Sequence, residues 1–171
     1  MNQDELLIKM KEFLSYNPLT GIFHWIKPKK TGQKKGSIAG SVNNGYIRIA
    51  FDKKTYSSHR LAWFMYYGKW PNGLIDHKDR NKANNAISNL RECNHAENQQ
   101  NIVKAQLDNK VGLIGAYLIK DRNKKKVPAK KFISSIRINK KTFHIGMFHT
   151  AQEAHNAYLA KKQELHPFYN V

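Results

Sequence analysis

The sequence predicts an α+β protein of two modules. Three observations carry this. Helix-period stripes and strand-period alternation share the first hundred residues. A polar stretch without periodicity, residues 104–111, reads as a linker. The last third is no repeat of the first part, and reads as three strands followed by one helix.

Leu6, Leu7, Met10, Phe13 and Leu14 recur at helical spacing, so residues 4–14 are expected to be a helix. Asn17-Pro18 and Thr20-Gly21 break it. Residues 22–26 read as a short strand, and the basic stretch 27–36 as an exposed loop. After Gly45, Ile47, Ile49 and Phe51 alternate with Tyr46, Arg48 and Ala50. Asp52-Lys53-Lys54 turns this strand into another at 55–57. Ser58 is expected to cap a helix over 59–67, with Leu61, Phe64 and Met65 on one face and Gly68 ending it. Residues 74–77 return as a strand. Residues 78–85 form a long polar loop of the kind that is usually functional or disordered. A brief strand at 89–93 follows, then a helix capped by Asn94 and running to about Val103.

In the last third, residues 116–119, 132–138 and 142–148 read as strands, with a tight hairpin at Asn139-Lys140-Lys141. Thr150 and Glu153 form a capping box. Ala151, Ala154, Ala157, Tyr158 and Leu165 would line the buried face of the helix after it. Alternation puts Phe132, Ser134, Ile136 and Ile138 against that helix, and Ile133, Ser135, Arg137 and Asn139 on the other face. A three-stranded antiparallel sheet under one helix is small, and near the lower limit for stability alone.

Composition narrows the function. Hydrophobic residues make up 40% of the chain, enough for a core. No apolar run reaches a membrane span, so a soluble protein is expected, and residues 1–5 lack the start of a secretory signal. One cysteine, Cys93, excludes an internal disulfide framework and multi-cysteine zinc sites; it reads as a small buried hydrophobe. Thirty Lys and Arg against twelve Asp and Glu give a net charge of +18 and a pI near 10.0. Self-repulsion of that size points to a polyanionic partner, nucleic acid first.

The stretch 74–101 holds the residues suited to chemistry. Asp76 and His77 are adjacent at a strand end; Asn89 and Asn98 follow at spacings of 12 and 9 residues. Hydrolysis of a phosphodiester needs a base for water and a cation against the phosphate. Histidine suits the first task near neutral pH. A carboxylate and an amide oxygen are hard ligands suited to Mg²⁺. Taken singly, Asp-His pairs and Asn-rich loops are common, because Asn favours turns. Asn94, His95 and Asn101 read as a cap and solvated face residues, or as phosphate or metal contacts. His59 reads as a packed structural histidine, and Arg60 as a candidate phosphate contact.

The ordered set Asp76-His77, Asn89 and Asn98 resembles the HNH endonucleases of phage and intron homing type, in which the last motif histidine is an asparagine. The resemblance extends over His59-Arg60-Leu61-Ala62-Trp63 and Trp70-Pro71-Asn72-Gly73, and weakly back to Tyr16. It implies a ββα-metal site. His77 would activate water, Asp76 and Asn98 would hold one divalent metal, Mg²⁺ with Mn²⁺ as a substitute, and Asn89 would bond across the loop to hold the His77 strand. It also implies double-stranded DNA as substrate, a phage-encoded enzyme in the host cytoplasm, and a monomer or weak dimer. The domains are then expected at residues 1–103 for the nuclease, 104–111 for the linker and 112–171 for a second module.

That second module resembles the plant ethylene-response type of DNA-binding domain. The residues are Gly115-Ala116-Tyr117, the run 132–138, His144-Ile145-Gly146-Met147-Phe148, Thr150 to Ala154 and Ala157-Tyr158. Phe132 stands where the family often has Trp, and residues 122–131 are a basic insertion in the first hairpin. The resemblance implies a sheet lying in the major groove. Between residues 120 and 141 basic side chains crowd together and Asp121 is the only acid. Lys120, Arg122, Lys131, Ser135, Arg137 and Lys141 are the candidate DNA contacts. Lysines there read as phosphate contacts and Arg137 as a base reader. Two rival readings are a non-catalytic DNA-binding regulator on the same fold and an RNA-directed protein. The latter ranks lower, since few strands offer exposed aromatic pairs for stacking bases.

Overall fold

Residues 2–28, 33–105, 107–119, 131–138 and 141–169 are described in the computed structural model. They divide into two units, Met1–Asn98 and Gln99–Val171. The described residues form a mixed α+β protein of four α-helices and small antiparallel sheets.

In the first unit, α1 (Gln3–Phe13) starts from a capping box: the Asn2 side chain accepts from the Glu5 amide, and the Glu5 carboxylate accepts from the Asn2 N–H. The helix stops at Phe13, one residue short of the apolar periodicity. Leu14 is extended instead and opens β1 (Leu14–Tyr16), paired with Trp25 of β2 (Phe23–Trp25). β3 (Ser41–Asn43), β4 (Tyr46–Phe51) and β5 (Lys54–Ser57) form an antiparallel sheet in that order. β3 was not expected; all three of its residues are exposed, so no alternation marks it.

α2 (Ser58–Tyr67) is capped by Ser57, not Ser58, and without a side-chain hydrogen bond. Ser58 lies inside the first turn and is buried. Leu61, Ala62, Phe64 and Met65 face the core with Met10, Leu14, Phe23, Trp25, Ile49, Phe51 and Leu90. Burying such side chains stabilises by about 1.5–3 kcal/mol each. β6 (Leu74–His77) pairs antiparallel with β7 (Leu90–Cys93), preceded by a 3₁₀ turn at Ile87–Asn89. α3 (His95–Gln100) follows β7 and ends before the expected Val103. It buries none of its residues, so no packing extends a short helix that is marginal alone.

In the second unit, β8 (Ala116–Leu118), β9 (Phe132–Ile138) and β10 (Lys141–Phe148) pair antiparallel, with β9 central. α4 (Ala151–Leu165) packs on this sheet and begins with the Thr150–Glu153 capping box. Ala116, Ser134, Ile136 and Ala154 are buried, and Arg137 is exposed, as alternation requires. Lys162 is buried too, which the helix pattern did not foretell. Its Nζ donates to the Ile102 carbonyl and lies 4.6 Å from the Tyr169 ring centroid. The expected hairpin at 139–141 falls partly outside the described residues, as does the middle of the basic loop at 27–36.

Candidate active site

The site is built where β6 ends. The register sets Asp76 opposite Arg91 and His77 opposite Leu90. Arg91 Nε and Nη2 donate to Asp76 Oδ2 at 2.9 and 2.7 Å, and both side chains are largely buried. A buried carboxylate needs such a partner, because desolvation otherwise penalises its charge.

His77 is buried, and its Nε2 lies 3.1 Å from Asn85 Oδ1. Asn85 is wholly buried, and its Nδ2 donates to the Ala83 carbonyl at 3.2 Å. The amide is thereby oriented with its oxygen toward the imidazole. That oxygen only accepts, so Nε2 carries the proton and the lone pair of the neutral ring is on Nδ1. Burial lowers the His77 pKa below 6.5; the Asn85 hydrogen bond and the charges of Asp79 and Asp76 oppose this, and Lys82 adds to it. The His77 imidazole is therefore neutral at neutral pH, the state that can accept a proton.

Asn89 ties the loop between β6 and β7 together. Its Nδ2 donates to Asp79 Oδ1 at 2.9 Å and to the Asn84 carbonyl at 2.8 Å. Its Oδ1 accepts from the Asp79 amide at 3.0 Å, and its carbonyl accepts from Lys78 N–H at 2.9 Å. Burial would raise the Asp79 pKa, but hydrogen bonds from Asn84, the Asn81 amide and Asn89 outweigh it and hold the carboxylate below its usual range. Asn98 lies on α3, half-buried. Asn94 caps that helix through a capping box with Glu97, and His95 is exposed. Cys93 is buried; burial, then Asp76 and Glu97, push its thiol up to about 11, so it stays protonated. Arg60 donates to the Gly73 and Pro71 carbonyls, which ties its guanidinium to the turn before β6.

Segments far off in sequence hold the loop. Tyr16 Oη donates to the Asn85 carbonyl at 2.8 Å, and Ile87 N–H donates to the Pro18 carbonyl at 2.9 Å. His59, from α2, sets its ring edge-on to His77, 5.2 Å between centroids. Asn85, Arg91 and the placement of His59 escaped the sequence reading. Nothing in the sequence separates Asn85 from Asn81 or Asn84; only the loop's path buries it.

Of the candidate DNA contacts, Lys120 and Arg122 lie outside the described residues. Lys131 is exposed just before β9. Ser135 pairs with His144 and Arg137 with Thr142, so these four share the face turned from α4. Lys141 pairs with Ile138 and so sits on the opposite face, at the hairpin end.

Among the described residues no group of three His, Cys, Asp or Glu could hold a metal. An Asp76 carboxylate with an Asn98 amide oxygen is nonetheless a hard donor set. Two such ligands would leave most of an octahedral shell to water and phosphate, as Mg²⁺ prefers.

Residues 56–100, from β5 through α3, match the family model described as HNH endonuclease. This supports an HNH nuclease domain in the chain, and with it a nuclease whose substrate is DNA. No curated protein and no solved structure matches the chain. No helix among the described residues is long and apolar enough to cross a membrane.

Proposed function

We infer that the chain is a metal-dependent DNA endonuclease of the homing type, with β6, β7 and α3 acting as its ββα-metal unit. The observation that carries this reading is the His77–Asn85 pair. It holds a neutral imidazole in one tautomer, with Nδ1 as the basic nitrogen. In the proposed reaction His77 Nδ1 takes a proton from water as the water oxygen bonds to phosphorus. The bond from phosphorus to the 3′ oxygen breaks and that oxygen is protonated, leaving 5′-phosphate and 3′-hydroxyl ends. Asp76 and Asn98 would hold one Mg²⁺ or Mn²⁺, which supplies charge neutralisation at the phosphate. Asn89 keeps the loop folded so that His77 stays in register.

The second unit is read as a DNA-binding module of the ethylene-response type. Ser135 and Arg137 present the groove-facing surface, and Lys120, Arg122, Lys131 and Lys141 supply phosphate contacts. The nuclease module is taken as residues 1–103, the linker as 104–111 and the binding module as 112–171. One base and one metal per chain fit a monomer or weak dimer that cuts one strand at a time.

A plasmid assay tests this. Supercoiled DNA is incubated with wild type or His77→Ala, in Mg²⁺ or in chelator. Relaxed or linear product is expected from wild type with metal only, with His77→Ala slower by about 10²–10⁴-fold. Equal cleavage by both proteins would remove His77 as the base. Binding without cleavage, on random-sequence libraries and in Mn²⁺ as well, would leave a DNA-binding regulator.

A further inference from the structure

His59, Tyr46 and His77 come from three separate elements and meet ring to ring. Tyr46 at the start of β4 lies 5.4 Å from His59 and 6.2 Å from His77, and His59 meets His77 at an interplanar angle of 77°. Lys82 Nζ sits 4.6 Å from the Tyr46 ring centroid. His59 Nδ1 is sealed from solvent and has no hydrogen-bond partner. Burial, with the charges of His77, Arg60 and Arg48, pulls its pKa down to about 4. The ring is therefore neutral at neutral pH and carries one N–H. A buried N–H without a partner is rarer than a buried acceptor without one, which puts the proton on Nε2. Phenylalanine would fill the same space against His77 without an unsatisfied nitrogen. A polar ring in that position points to a task for its other nitrogen.

We propose that His59 Nε2–H donates a hydrogen bond to a non-bridging oxygen of the DNA phosphate being cut, which makes His59 a second substrate-contacting histidine beside His77. The proposal rests on the nuclease reading above. A fixed neutral donor grows in value as charge builds on the phosphate. It also adds no positive charge beside a base that has to take up a proton.

Three full-length proteins test it: wild type, His59→Phe, which keeps a ring and removes the donor, and His59→Gln, which keeps an N–H. His59→Phe is expected to melt at or above the wild-type temperature, bind duplex at most about tenfold more weakly and cut about 100-fold slower or worse. His59→Gln is expected to recover part of that loss. Wild-type cleavage by a folded His59→Phe overturns the proposal. A second readout needs neither cleavage nor the Phe variant. In ¹⁵N-histidine-labelled wild type, the His59 resonance is expected to show a protonated Nε2 whose proton moves downfield when a short duplex is added without metal. A bare Nε2, or a proton that does not move, overturns the proposal even if the plasmid is cut. A moving proton in a chain that never cuts sinks the nuclease reading and leaves the phosphate contact standing.

Discussion

Two histidines and one asparagine meet in the candidate site. Asn85 decides which nitrogen of His77 is basic, so Asn85→Ala removes the acceptor and lets the ring change tautomer and tilt. Cleavage should fall about 100-fold, and unfolding should become easier by about 1–3 kcal/mol. Denaturant melts beside a plasmid time course check both, and unchanged cleavage would mean that the pair does not orient the base. The buried rings also set an acid limit. His59 titrates near 6.5 when unfolded and about 4 when folded, so the unfolded chain binds more protons between those values. Stability from this group is intact above pH 6.5 and declines as pH falls toward 4, by about 3 kcal/mol over the window. His77 and His166, whose pKa values burial also lowers, act in the same direction. Urea melts at neutral pH and at about pH 4.5 should show the decline, and His59→Phe should flatten it.

The elements matter through what they hold in place. The turn between β1 and β2 packs on the loop between β6 and β7, and Gly21 has φ 74° where an added Cβ would lie 2.2 Å from the Ala86 nitrogen. Gly21→Ala must push residues 85–86 away, and with them the acceptor of His77. A loss of about 3 kcal/mol and of most cleavage is expected. Gly36 supplies the control, with φ 80° and nothing within 4 Å of an added Cβ. Gly36→Ala should cost about 1–2 kcal/mol through its left-handed backbone alone, with cleavage kept. Equal losses in the two variants would separate the turn from the site. Strands with one buried face were legible in the sequence, and β4, β6 and β9 fall where alternation or apolar runs put them. β3 was not, since it is exposed throughout. Nor was the end of α1, where pairing with Trp25 draws Leu14 out of a helical pattern into a strand.

At the scale of the molecule, the net charge of +18 dominates. Lysine contacts release counterions without reading sequence, so affinity for any duplex should fall about 10³-fold or more between roughly 50 and 200 mM salt. Against that background, Arg137→Ala should lower discrimination at one base pair by about 1–3 kcal/mol, while Lys141→Ala should weaken all duplexes alike. Binding to a randomised library across a salt series distinguishes the two. Uniform weakening in both variants would make Arg137 a phosphate contact.

The sequence by itself determined the α+β class, the strand ending in Asp76-His77, the Thr150–Glu153 capping box and the basic character. Each of these depends on near neighbours or on composition, so the chain states them locally. The partners of those residues were decided by tertiary structure. Asn85 is one polar residue among many until the loop closes over it and Tyr16, Pro18 and Gly21 press it against His77. Arg91 meets Asp76 only through strand register, and His59 meets His77 only because the fold brings the start of α2 to the end of β6. No pattern in the sequence marks Lys162 for burial, yet an enclosing pair of tyrosines and a backbone carbonyl bury it. Contacts between residues distant in the chain leave no periodic trace, because either partner alone obeys only its local preferences.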